Sequence, residues 1–213
     1  LGGGSTDAAA VLNWGRHFGK DIEYEALALQ LGADVPFFLL GGTALGLGRG
    51  EELYALPDLP VTHLVIAKPD GVHVSTPDAF RALNRPPLNS GPVSDKIERF
   101  RALARSVAAC RPASEWKSLC ENDFEAAVFH QFPVLPKTKD MLDRSGAHGA
   151  RMTGSGAAVF GFFPSREKAR MAAQKLAGFA QAWPATFVSR RRYEAAWRRW
   201  IADAIRQTQN HLR

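Results

Sequence analysis

Cysteine is scarce in this chain: 213 residues carry two, Cys110 and Cys120. Two cysteines cannot build a disulfide framework, so a stapled secreted scaffold is excluded and both are expected as reduced thiols in a cytoplasmic protein. Long apolar runs are lacking too. None approaches the roughly 18 residues that a membrane span needs, so an integral membrane protein is not expected. The six histidines show no paired spacing and the two cysteines no clustering, which leaves no basis for a protein-held metal site. What remains, 46% hydrophobic and 23% charged residues, is the balance of a globular chain long enough to bury a sizeable core.

The net charge of +6 suggests an acidic partner until it is located. Residues 190–213 hold seven arginines against Glu194 and Asp203, a net of +5. That leaves +1 for all the rest, so the basic character belongs to the tail. The tail also places Tyr193, Trp197, Trp200, Ile201, Ala204, Ile205 and Leu212 at three- and four-residue intervals, an amphipathic helix with arginines opposite. Packing against its own domain is the plainest role for such a helix. A dimer contact, an anionic membrane surface or nucleic acid are the others.

The chain opens Leu1-Gly2-Gly3-Gly4-Ser5-Thr6-Asp7, without an initiator Met or a signal-peptide pattern, so further N-terminal residues are expected ahead of it. Ser5 and Thr6 are good N-caps for a helix carrying Ala8, Ala9, Val11, Leu12 and Phe18. A second helix is expected from Tyr24 to Leu31, stopped by Gly32, then an apolar run from Val35 to Leu40. Five glycines over residues 41–50 suggest strands and tight turns. Two prolines over residues 56–60 mark a domain boundary.

Beyond it, residues 63–67 read as a buried strand, and Thr76 as the cap of a helix with Pro77 at its first position. Residues 85–94 read as loop, with helices near 95–109, 121–129 and 134–145. Strands over 149–152 and 157–163, a helix over 165–176 and a strand near 186–188 complete a β–turn–β–α–β run.

Three features can carry chemistry. A glycine loop at a helix N-terminus brings backbone amides and the helix dipole to bear on an anion, though such loops also serve as plain tight turns. Neither a P-loop nor a dinucleotide fingerprint is present, because Gly19-Lys20 precedes Asp21 and Gly46-x-Gly48 meets Glu51 where a third glycine belongs. The cluster Met152-Thr153-Gly154-Ser155-Gly156 is either a hairpin turn or a second backbone lip for the same anion. It lacks the frame of a serine hydrolase, since Thr153 stands where the first glycine would be. Asp34, at the edge of an apolar run, is either a helix cap or a carboxylate with a task.

Taken together these residues resemble the GHMP small-molecule kinases. Residues 1–9 look like the end of that family's glycine-rich phosphate loop. The stretch Leu31-Gly32-Ala33-Asp34-Val35-Pro36-Phe37-Phe38, with Gly42-Thr43-Ala44 and Gly48-Arg49-Gly50-Glu51 after it, resembles one member in particular, and residues 152–156 resemble the family's third motif. The matches fall in family order over about residues 1–189.

The resemblance implies an α+β protein of two-domain GHMP kinase fold. An incomplete N-terminal domain would occupy residues 1–58, a ferredoxin-like C-terminal domain 59–189, and the basic tail 190–213. It implies ATP-dependent phosphoryl transfer to a hydroxyl of a small-molecule substrate, normally with Mg²⁺. Asp34 would be catalytic, Gly2, Gly3, Gly4, Ser5 and Thr6 would hold the ATP phosphates, and Thr76, Gly154, Ser155 and Gly156 would face the substrate. The family's first motif, with its lysine and asparagine, does not occur in these residues. A monomer or homodimer with no nucleic-acid or membrane partner is expected, the alternatives being another kinase of the family or a non-catalytic anion or nucleic-acid binder using the tail.

Overall fold

The computed structural model describes residues 2–19, 22–83 and 94–211, and of 94–97, 114, 116, 117 and 208–211 the backbone alone. The loop expected at 85–94 lies almost wholly outside these residues, as do Leu1, Leu212 and Arg213. Contacts divide the chain into two compact units, one of residues 59–187 and one joining Gly2–Asp58 to the tail from Val188.

In the unit of residues 2–58, α1 (Gly3–Gly15), α2 (Tyr24–Leu31) and α3 (Val35–Leu40) pack around Ala9, Leu12, Tyr24, Ala28 and Val35. The helical start differs from the expected one. Gly2 is the N-cap of α1, in the left-handed region at φ 64°, which lets the helix begin two residues before Ser5. Ser5 and Thr6 therefore lie inside its first turn, and Thr6 turns its hydroxyl and its amide back to the Gly2 carbonyl, each at 2.8 Å. The apolar run becomes a helix of its own, with Asp34 at its N-cap, Pro36 in its first turn and Gly41 at its end. A hairpin of β1 (Ala44–Leu47) and β2 (Glu52–Ala55) follows, paired Ala44 to Ala55 and Leu47 to Glu52.

The unit of residues 59–187 begins with β3 (His63–Pro69) and α4 (Thr76–Ala82), then α5 (Ser94–Ala108), α6 (Ala113–Trp116) and a 3₁₀ turn (Lys117–Leu119). It continues through α7 (Phe124–Gln131), α8 (Val134–Arg144), β4 (Ala150–Met152), β5 (Val159–Phe163), α9 (Arg166–Lys175) and β6 (Ala180–Thr186). The four strands form one antiparallel sheet in the order β4-β5-β3-β6. With helices between β3 and β4 and between β5 and β6, that order is a ferredoxin-like β-α-β-β-α-β arrangement.

The core of this unit includes Val65, Leu135, Leu142, Met152, Val159 and Leu176, all buried. Ala169, Ala172 and Ala173 are the buried small residues of α9 that bring it close to the sheet. Ser75, not Thr76, is the N-cap of α4; Ser75 keeps an extended backbone and Thr76 is already helical. β6 ends at Thr186, where a strand at 186–188 was expected to start. Pro184, opposite Val65, hides the strand from a propensity reading yet is tolerated because β6 is an edge strand.

The tail forms α10 (Arg190–His211), with the apolar face at Tyr193, Trp197, Ile201, Ala204 and Ile205 less exposed than the arginine face.

Candidate active site

Two sets of the expected site residues lie on different units, and each set is built locally. In the unit of residues 2–58, Gly3 and Gly4 occupy the first turn of α1, where backbone amides have no helical acceptor. A Cβ on either glycine would meet nothing within 4 Å, so the surface over this turn is an open cradle. Gly2 differs: a Cβ there would come within 2.8 Å of the Phe38 ring. The turn is thus backed by α3 on one side and open on the other. Ser5 and Thr6 are half-buried in it, with the Thr6 hydroxyl already spent on Gly2. Asp34 caps α3 with an exposed side chain that makes no capping hydrogen bond.

In the unit of residues 59–187, Thr76 and Ser155 come together from 79 positions apart, their hydroxyl oxygens 2.9 Å from one another. Because Ser75 takes the cap position, the Thr76 side chain is available to make that bond. Gly154 and Gly156 flank Ser155 with φ of 55° and 96°, backbone angles that a side chain disfavours. A Cβ on Gly156 would also lie 2.9 Å from the Met152 sulfur.

The segment around Ser155 is held by residues that the sequence reading did not single out. Asn122 donates its amide to the Met152 carbonyl at 2.7 Å and to the Gly154 carbonyl at 2.8 Å, while its oxygen accepts from the Phe124 amide at 2.9 Å. Glu125 accepts the Met152 amide at 2.7 Å through one oxygen and pairs with Lys139 at 2.8 Å through the other. A readable signal existed. Asn122 followed three residues later by Glu125, ahead of an apolar helix, is a helix-start signature.

Beside this segment lies a cavity of about 470 Å³ whose walls include Phe80, Asn122, Phe124, Arg151, Thr153 and Gly154. Arg151 is fixed by bonds to the carbonyls of Cys120 and Ala150 at 2.9 and 2.7 Å. Burial pushes the Cys120 thiol above its ordinary value, and the Arg151 charge offsets part of that rise. Among the described residues, no group of three or more His, Cys, Asp or Glu side chains is placed to hold a metal ion. Nor is any helix among them long and apolar enough to cross a membrane.

Comparison with known proteins bears on the fold and the family. The model of the family described as GHMP kinases C terminal matches residues 100–181. A 4-diphosphocytidyl-2-C-methyl-D-erythritol kinase from Solibacter usitatus is 42% identical over 97% of this chain and 65% of its own length. Another from Gloeobacter violaceus is 40% identical over 84% of this chain and 59% of its own. The crystal structure of a 4-(cytidine 5'-diphospho)-2C-methyl-D-erythritol kinase superposes with a TM-score of 0.70 at 37% identity, covering 87% of this chain and 65% of that one. A homoserine kinase from Cytophaga hutchinsonii, at TM-score 0.56 and 18% identity over 80% of this chain and 59% of its own, shares the fold. The chain spans a little under two thirds of the length of the curated relatives it matches.

Proposed function

Proceeding from the GHMP kinase fold and that family's C-terminal domain, both present in this chain, we propose that it works as an ATP-dependent small-molecule kinase. The acceptor is a hydroxyl on the methylerythritol moiety of 4-diphosphocytidyl-2-C-methyl-D-erythritol, a step of the non-mevalonate route to isoprenoid precursors, and the setting is the cytoplasm. The observation that carries the proposal is 42% identity to a kinase of that name, sustained over 97% of the chain.

The local geometry fits the chemistry. Phosphoryl transfer asks a protein for positioning and charge stabilisation more than for covalent work. The first turn of α1 offers unpaired amides and two glycines open to an approaching group, which suits the phosphates of ATP. Mg²⁺ would arrive with those phosphates, which suits an ion that keeps most of its ligands as water and phosphate oxygen. Asp34 would align the acceptor hydroxyl and take its proton as the oxygen–phosphorus bond forms and the bond to the departing ADP breaks. Thr76, Gly154, Ser155 and Gly156 would line the acceptor side, with the Thr76–Ser155 hydroxyl pair able to redirect its hydrogen bond to a ligand oxygen.

The test is ADP formation by the full-length protein with Mg-ATP and the cytidine-linked substrate, beside an Asp34→Asn variant. Turnover that falls by about 10²–10⁴-fold in the variant is expected of a lost general base. Undiminished turnover would remove Asp34 from the mechanism. Absence of turnover with this substrate, but not with homoserine or mevalonate, would move the assignment to another kinase of the same fold.

A further inference from the structure

The tail helix is not used by the proposed chemistry, yet its first turn makes an unusual set of contacts. The Arg190 guanidinium donates to the Gly41 carbonyl at 3.2 Å and to the Thr43 carbonyl at 2.8 Å. One turn on, the Tyr193 hydroxyl donates to the Phe38 carbonyl at 2.5 Å. The Arg190 amide is held in turn by Asp58 at 2.9 Å. The Phe38 carbonyl belongs to the last turn of α3, where a helix leaves its carbonyls without partners, and Gly41 is the residue that ends it, while the Thr43 carbonyl just beyond also accepts the Leu56 amide at 2.9 Å. A cation at that end also faces the negative pole of the helix.

The chain is shaped to admit these side chains. A Cβ on Gly41 would run into the Tyr193 ring, and one on Gly42 would lie 2.7 Å from the Arg190 Cβ. Both glycines have positive φ, 66° and 68°. The contact is a fitted clasp rather than a loose apolar covering.

What the clasp holds is the short helix that carries Asp34 at its other end. Six residues span about 9 Å, so α3 is a rigid lever with little play between its two ends. Phe38, whose carbonyl Tyr193 grips, also backs the glycine turn, since its ring stands where a side chain on Gly2 would go. One residue thus meets both the tail and the glycine turn.

We infer that Arg190 and Tyr193 are positioning residues: the tail caps the C-terminal end of α3 and thereby fixes Asp34 and the Gly2 turn. This rests on the reading that Asp34 acts on the acceptor. The experiment uses the full-length protein with Tyr193→Phe, which deletes only the hydroxyl, and Arg190→Lys, which keeps the charge and loses the two-pronged fork. Arg199→Ala, an exposed change on the same helix, is the control.

Each clasp variant should lower kcat about tenfold while the acceptor KM stays within about twofold, the signature of a displaced catalytic group rather than a lost binding contact. Amide exchange should quicken at Gly41, whose N–H bonds Phe37, and also at the far end at Val35, whose N–H bonds Gly32. The control should change neither. Unchanged kcat per folded molecule, or faster exchange that stops short of Val35, would overturn the inference. Should the full-length protein phosphorylate no acceptor, the functional reading fails separately, and exchange at Val35 still decides for or against the clasp.

Discussion

Replacing Lys139 by Met should destabilise the unit of residues 59–187 by more than a surface ion pair could explain. The ammonium lies 2.8 Å from the Glu125 carboxylate, and the two side chains are 21% and 16% exposed. Losing one partner of a fully buried pair costs about 3–5 kcal/mol, because the other charge is left uncompensated. Since each side chain here keeps some contact with water, the expectation is about 2–3 kcal/mol. Methionine preserves most of the apolar stem that Lys139 lays near Phe129, so packing loss is a minor part.

The reverse change is milder. Glu125→Gln keeps a carbonyl oxygen for the Met152 amide, and a lone Lys139 can swing its ammonium into solvent, so about 1 kcal/mol is expected. The double variant then provides the sharper test. Removing both charges leaves none stranded, so Glu125→Gln with Lys139→Met should be more stable than Lys139→Met alone by about 1 kcal/mol. Urea denaturation followed by circular dichroism, with the fluorescence of the five tryptophans as a second probe, measures all four proteins. Losses that simply add, or a Lys139→Met cost below about 0.5 kcal/mol, would refute the stranded-charge reasoning.

Two further outcomes follow from the site. Gly3→Ala meets no neighbour within 4 Å and lies inside a helix, so it should leave stability unchanged or raise it by about 0.5 kcal/mol, while weakening ATP binding severalfold by filling the cradle; calorimetric titration showing unchanged affinity would make the glycine turn a structural one. The raised Cys120 thiol favours its protonated form in the folded state, so its contribution is fully present below the ordinary thiol value and is lost as pH rises through the raised one. Thermal midpoints measured from pH 7 to 10 should therefore fall less steeply in Cys120→Ala than in the parent, and parallel curves would refute that assignment.

Much of the fold is readable from local pattern. Gly32 stops α2 where the apolar spacing ends, and the α9 helix follows from Ser165 and the alanines that line one face. Six consecutive residues from Val35 to Leu40 are harder, because a short apolar run fits a strand or a helix equally well and Pro36 decides only once it is known to stand in a first turn. The cap shifts at Gly2 and Ser75 have a common cause. Each frees a hydroxyl-bearing residue from capping, and φ at a glycine or a serine cannot be read from composition. The Thr76–Ser155 contact joins positions 79 apart, and the Tyr193–Phe38 bond positions 155 apart. Periodicity within a window of one element carries no information at that range.

The loop around Ser155 and the end of α3 share a way of being held. Residues 154–156 and 41–42 contain glycines at positive φ, which take the backbone out of regular ladders and leave nearby carbonyls to find other donors. In one unit Asn122 supplies them, to Met152 on the edge strand β4 and to Gly154; in the other Arg190 and Tyr193 supply them, to Gly41 and Phe38. A side chain arriving from a distant element can satisfy a loop carbonyl without laying a second backbone along the loop. The loop's carbonyl face is then fixed from outside the loop, and its backbone is free to keep the glycine conformations that the turn requires.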